Sequence, residues 1–376
     1  MTYPPQGPPP QGPPPGNYGP PQGHPGQWGP PPQQPPWPQQ QWSPGPPPKK
    51  RNGWKWALGA VAVLAVIGVT AAVTISVTSG DGGGDDPVPP QETYGLASAD
   101  DTGPVNIITE DPTCAAWTPI NDNLAAVIKR GWNKRDPNVS EADWTAELRS
   151  QYEEVGEALT RAADQTVRLA EQTPHRAMRE LFEQFIAYGR AFTDTIPRYT
   201  KDDNHLALAA ITTANVIVYV CSAIHYGSAA SRAPLVDPLS ASPEPAVLRD
   251  PNDARRMLET DDPTCPEWDR ILHRFDDDTR AWQGIDPNLP AAQWNSEQRA
   301  VIDGVIPLMK EFADEFERLG MQTSNPVLRD FAMFAAQYRR AHAEALPTYT
   351  PADNYLDLTA WRTTSVIYEA CKAAGV

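Results

Sequence analysis

The sequence predicts an all-α protein: a tandem repeat of two disulfide-clasped, up-down-up-down four-helix bundles, set after a disordered tail and one transmembrane helix. Three observations predict it. First, the later part of the chain is written twice: DPTC at Asp111 to Cys114, followed by Trp117, returns as DPTC at Asp262 to Cys265, followed by Trp268. DPN at Asp136 to Asn138 and P-x-Y-T-x-x-D-N at Pro197 to Asn204 likewise recur about 150 residues later, at Asp286 to Asn288 and at Pro347 to Asn354. Second, apolar residues in both copies recur three and four apart, the one-sided stripe of a bundle helix. Third, each copy owns two of the four cysteines, near its start and near its end.

Taken in order, residues 1–55 read as a disordered Pro/Gly/Gln-rich tail. Residues 1–48 hold 21 of the 43 prolines and no charged side chain, so they have little to bury against the entropy of ordering. Lys49, Lys50, Arg51 and Lys55 then precede an uncharged, mostly apolar run over 56–78. Some 22 residues rising 1.5 Å each span a hydrocarbon layer of about 30 Å, and Trp54 and Trp56 stand where interfacial anchors belong. A cleaved signal peptide fits less well, because no A-x-A site follows the run. Within the run, Gly68 and Ala72 form a weak helix-dimerisation pair. The basic residues before it and Asp81, Asp85 and Asp86 after it orient the tail to the cytoplasm, giving a single-pass plasma-membrane protein with an extracytoplasmic C-terminal region. Residues 79–108 read as a flexible linker, 109–226 as the first bundle, 227–258 as an Ala/Ser/Pro-rich inter-repeat linker and 259–376 as the second bundle.

Helices are expected near 112–132, 140–172, 175–196 and 201–225, then 263–283, 290–320, 326–346 and 351–373. The stripes include Tyr152, Val155, Leu159 and Ala162 with Ile302, Val305, Met309 and Phe312, and Met178, Leu181, Phe185 and Tyr188 with Leu328, Phe331, Ala335 and Tyr338. Asp111 and Asp262 are placed to cap the first helix, with Pro112 and Pro263 after them. Thr200 with Asp203, Thr350 with Asp353 and Ser140 with Asp143 have capping-box spacing. An up-down-up-down path returns the end of the fourth helix to the start of the first. Cys114 is therefore expected to pair with Cys221 and Cys265 with Cys371. Each bond closes a loop of about 107 residues, worth about 4.7 kcal/mol in the chain-entropy model. Zinc is a poor alternative, since no C-x-x-C or nearby His completes a ligand set.

Site-like features are few. Tyr199, Asp203 and Asn204, with Tyr349, Asp353 and Asn354, offer a tyrosine, a carboxylate and an amide at a helix start, suited to a small polar ligand; the competing reading is a turn, a capping box and a packed ring. The recurrent Trp117, Trp132 and Trp144, with Trp268, Trp282 and Trp294, either stack on sugar rings in a groove or anchor helices to the core, and packing is the favoured reading. Asp202 with His205 is the best remaining polar pair, most simply a solvated one. There is no H-E-x-x-H, G-x-S-x-G, P-loop or dinucleotide turn, and no metal site or cofactor is expected. Four of the 31 Lys and Arg and none of the 47 Asp and Glu lie in the first 80 residues, so the remainder carries a net charge of −20, which argues against nucleic acid as a partner.

The layout of proline-rich tail, K-K-R before one membrane helix, and acidic disulfide-bearing exterior resembles the proline-rich conserved single-pass membrane proteins of mycobacteria and related actinobacteria. Members of that group are largely without assigned activity, and the resemblance implies no residue roles. The expected function is a non-enzymatic cell-envelope protein that binds or scaffolds a partner protein or envelope component outside, while its tail recruits protein partners inside. The alternative is an envelope hydrolase or transferase with a carboxylate site between the bundles, drawn from Asp202, Asp203, Asp276, Asp277 and Asp278.

Overall fold

A computed structural model describes residues 93–242 and 244–375. The tail of 1–55, the apolar run of 56–78 and the first part of the expected linker lie outside the described residues. Among those described there are ten α-helices and no strand. They are α1 (Cys114–Ile128), α2 (Ala146–Gln172), α3 (Arg176–Thr195), α4 (Asn204–His225), α5 (Ser228–Arg232), α6 (Cys265–Asp278), α7 (Arg280–Gln283), α8 (Ser296–Gln322), α9 (Pro326–Ala345) and α10 (Asn354–Ala373). The anticipated stripes are buried, Tyr152, Leu159, Met178, Phe185 and Tyr188 completely.

Successive long helices neighbour one another in each half, and α1 returns to α4 as α6 returns to α10. At those returns Cys114 is bonded to Cys221 and Cys265 to Cys371, with Cα atoms 5.4 and 5.6 Å apart. The pairing is the one that the topology demands.

Helix starts differ from expectation where a side chain overrides the local signal. Residues 141–143 form one 3₁₀ turn with no side-chain cap from Ser140, and α2 begins only at Ala146, capped by Thr145 accepting from Leu148 N. Trp144 is the reason. Its extended backbone lets the indole N–H donate to Val139 O at 2.9 Å while the ring stacks on Tyr152 at 3.9 Å. The first helix ends at Ile128 rather than near 132, because Gly131 turns the chain at φ 131° and sends Trp132 inward. Nor do Asp111 and Asp262 cap in the expected register. Each accepts from the backbone and hydroxyl of the Thr two residues on, and reaches the end of the next long helix through Thr173 and Thr323.

The largest helix contact in the described residues is between α4 and α10, the fourth helices of the two halves. This explains why α4 buries Ala207, Thr212, Ala214, Val216 and Val220 in addition to its stripe of Leu206, Ala210, Thr213 and Ile217: one face meets its own half and another meets α10. Lys201–His225 is also the one described helix long and apolar enough to cross a membrane. Burial on two sides accounts for that composition as well. One hydrophobic core runs through both halves.

The segments expected as linkers are packed instead. Along the first, Leu96, Val105, Ile107 and Ile108 are buried, Ala97 N donates to Glu171 O, and Ile108 N donates to the hydroxyl of Tyr338 in the other half at 3.2 Å. Along the second, Met257 N donates to Gln184 Oε1 at 2.6 Å, Leu258 lies with its backbone beside the hydroxyl of Tyr188, and Arg232 forms a two-pronged pair with Asp353. Tyr188 and Tyr338 hold corresponding places in the two copies, so each half receives the segment that leads into the other. Average composition hid this, because a few apolar residues among Gly, Asp, Ser and Pro are enough to seat an arm.

Candidate functional site

The strings most suggestive of a site build a corner in each half. Tyr199 is buried and its hydroxyl donates to Pro137 O of the DPN turn at 2.8 Å, and Tyr349 donates to Pro287 O at 2.7 Å. Glu141 N and Ala291 N donate in turn to the carbonyls of those tyrosines. Asp203 and Asp353 close the anticipated capping boxes, each accepting from the backbone and hydroxyl of Thr200 or Thr350. Asn204 accepts from Arg135, whose guanidinium lies 3.3 Å from the centre of the Trp132 ring. Asn354 opens α10 at the matching position. The geometry brings all six residues to helix starts, but the polar groups of the tyrosines and aspartates already face partners of their own chain.

Packing is also the fate of the tryptophans. Trp117, Trp132, Trp144, Trp268 and Trp294 are buried, and Trp282 is half-buried against His342. His205 does not pair with Asp202; its Nδ1 stands 2.7 Å from Glu369 Oε2 on α10. At the corresponding positions of the other copy, Tyr355 and Tyr219 also meet, 6.5 Å between centroids.

Two buried charged clusters escaped sequence reasoning. In the second half Arg339 contacts Asp357, and His342 Nδ1 lies 3.8 Å from the same carboxylate with no hydrogen-bond partner. Burial lowers the His342 pKa to about 4. Gly189, Ala207 and Phe192 occupy the corresponding places in the first half. The register of the two copies already sets Phe192 opposite His342; what it does not show is that Arg339 and Asp357 join His342 in the core. Between the halves, Arg176 of α3 donates to Asp330 of α9 at 2.7 Å, beside the fully buried Glu180. Glu180 and Asp330 are 150 residues apart, equivalent positions that face one another; Asp330, with Pro326, Val327, Met333 and Phe334 on the same helix face, was the available signal.

A family model described as mycobacterial ESX-1 associated protein matches residues 96–375. The chain belongs to that family. An uncharacterised protein of Mycolicibacterium smegmatis (strain MKD8) is 48% identical over 344 residues, covering 90% of this chain and 91% of that protein. No solved structure matches. The resemblance drawn from the sequence therefore holds in its coarser form, a conserved mycobacterial protein.

In this member of the ESX-1 associated family the matched region begins at Leu96, the first buried residue of the first arm, and takes in both halves. A cleft of about 180 Å³ lies between α1 and α2, lined by Ile120, Leu124, Val127, Ala158 and Ala162 together with Asn123, Arg161 and Gln165, and has no carboxylate. A second cavity of about 30 Å³ lies against Asp330. The aspartates proposed for a hydrolytic site do not converge on either: Asp277 pairs with Arg280, Asp278 with Arg274, and half-buried Asp276 faces Gln283. Among the described residues no cluster of three or more His, Cys, Asp or Glu is arranged to hold a metal.

Proposed function

We propose that this protein is a membrane-anchored, non-enzymatic scaffold of the mycobacterial envelope, acting in the context of ESX-1 secretion through a duplicated, disulfide-clasped helical body outside the membrane. The observation that carries this reading is the internal use of the site-like residues: Tyr199, Asp203, Tyr349 and Asp353 are bonded to their own turns and helix starts. The chain after residue 80 carries a net charge of −20, suited to binding by an acidic surface rather than by a pocket. Two disulfides and no free cysteine among the described residues suit an oxidising compartment. The basic residues before an apolar run of membrane-spanning length supply the anchor. The family's description supplies the secretion context.

The test is made in cells that express the full chain. Protease added to spheroplasts should remove the body and spare the tail, and deletion of the gene should change the secretion of ESX-1 substrates. A chain carrying both Tyr199→Phe and Tyr349→Phe should restore secretion. A body protected from protease, or secretion indifferent to the deletion, would refute the proposal.

A further inference from the structure

Helices α3 and α9 meet over a strip in which carboxylates and guanidiniums are buried together. Glu180 is 0% exposed and neither of its oxygens has a hydrogen-bond donor. Its nearest cation, Arg179, stands 3.6 Å away and lies closer to Glu183, at 3.3 Å. Facing Glu180 from the other half is Asp330, 1% exposed, within hydrogen-bond reach and already accepting from Arg176 Nε at 2.7 Å. A buried carboxylate without donors is driven to take up a proton, and a neighbouring carboxylate is the natural acceptor for the O–H so formed.

Arg176 links this pair to the first arm. Its Nη1 donates to Asp101 O at 2.6 Å, its Nη2 to Gly103 O at 3.0 Å, and its backbone N–H to Asp101 Oδ2 at 2.7 Å. One guanidinium thus balances Asp330 and grips the segment that joins the body to the rest of the chain. The 30 Å³ cavity beside Asp330 is walled by Val105 of the same arm, with Ser240, Ser242 and Arg329, and is large enough for a water molecule.

We propose that Glu180 and Asp330 share a single proton, and that this pair is a pH-responsive clasp whose loss of the proton frees the arm of residues 96–108 from α3 and α9. With the proton in place, the Glu180 O–H donates to Asp330 and Arg176 balances one negative charge. Once it is lost, two carboxylates face each other. The surrounding charges are these: from α3 Arg179, paired with Glu183 and 3.6 Å from Glu180 but with Nε and Nη1 lacking a hydrogen-bond partner; from α9 Arg329, which donates to Ser242 and Thr323 O; from the second connecting segment Arg249, facing Glu183; and from the arm Asp101, accepting from Arg176. Relief comes from Arg176 turning fully to the carboxylates and from water entering beside Asp330, and both movements release Asp101, Gly103 and Val105.

Burial pushes the Glu180 carboxyl well above the usual range and also raises Asp330. A raised folded-state value makes the closed arm favoured in acid and progressively weakened as pH rises through it. Hydrogen exchange of the full chain in detergent, with arm amides such as Ala97 and Ile108 expressed relative to intrinsic rates, reads this directly. Protection of 96–108 should fall by up to about tenfold for each pH unit as pH rises from the ordinary carboxyl range through the titration of the pair. Glu180→Gln, which keeps a donor at every pH, should hold the arm shut throughout. Because burial also raises the neighbouring Glu183 to about 7, the infrared spectrum of wild type minus that of Glu180→Gln at neutral pH should carry a protonated-carboxyl band. Arm protection that does not vary with pH, a parallel loss in Glu180→Gln, or the absence of that band would overturn the proposal.

Discussion

His342 makes the second half sensitive to acid in a way that the first half, with Phe192 in its place, is not. The imidazole is 1% exposed and its Nδ1 has no hydrogen-bond partner, so burial opposes protonation there and outweighs the nearby Asp357 carboxylate, which favours it, while Arg339 adds to the opposition. Its pKa falls from 6.5 to about 4 on folding. Since the unfolded chain binds the proton more readily, the contribution of His342 is complete above about pH 6.5 and is lost as pH falls through about 4. Some two and a half units correspond to roughly 3 kcal/mol, a large part of the stability of an ordinary domain. His342→Phe, which installs the residue used at the matching position, should remove that acid limb and leave stability at about pH 7 equal or slightly higher. Urea unfolding of both proteins at about pH 7 and about pH 4 gives the comparison, because contributions common to the two cancel. Equal losses of stability in wild type and variant on acidification would refute the reasoning.

Three further outcomes follow from the same contacts. Arg232→Ala leaves the buried Asp353 carboxylate without its two-pronged partner and should destabilise the body by about 3 kcal/mol in chemical denaturation. Tyr199→Phe and Tyr349→Phe should each lose about 1 kcal/mol, as the Pro137 and Pro287 carbonyls lose a donor, without affecting secretion. Replacing Cys265 and Cys371 together by Ser removes the bond closing 106 residues and should lower unfolding stability by about 4.7 kcal/mol in the chain-entropy model, read from denaturation midpoints.

Much of this architecture is legible in the sequence because its determinants are local or repeated. The boxes at Thr200 and Thr350 form as spaced, the stripes bury as their period requires, and the cysteine positions suffice to pair the four thiols. What escaped is non-local. Trp144 delays α2 because of a ring and a carbonyl that only the folded corner brings together. Arg176 and Asp330 are 154 residues apart, and no local spacing pairs them. The arms were misjudged because Leu96, Ile107, Met257 and Leu258 sit among turn-forming residues, so the anchors were outweighed by their surroundings. That the Tyr199 and Tyr349 hydroxyls meet the Pro137 and Pro287 carbonyls was visible only in three dimensions.

Interlocking through α4, α10 and the two arms makes one body of the two halves. Calorimetry of the full chain with both disulfides intact examines it most directly. A body with one core should melt in a single transition whose calorimetric and van't Hoff enthalpies agree. Two separable transitions, one for each half, would contradict it.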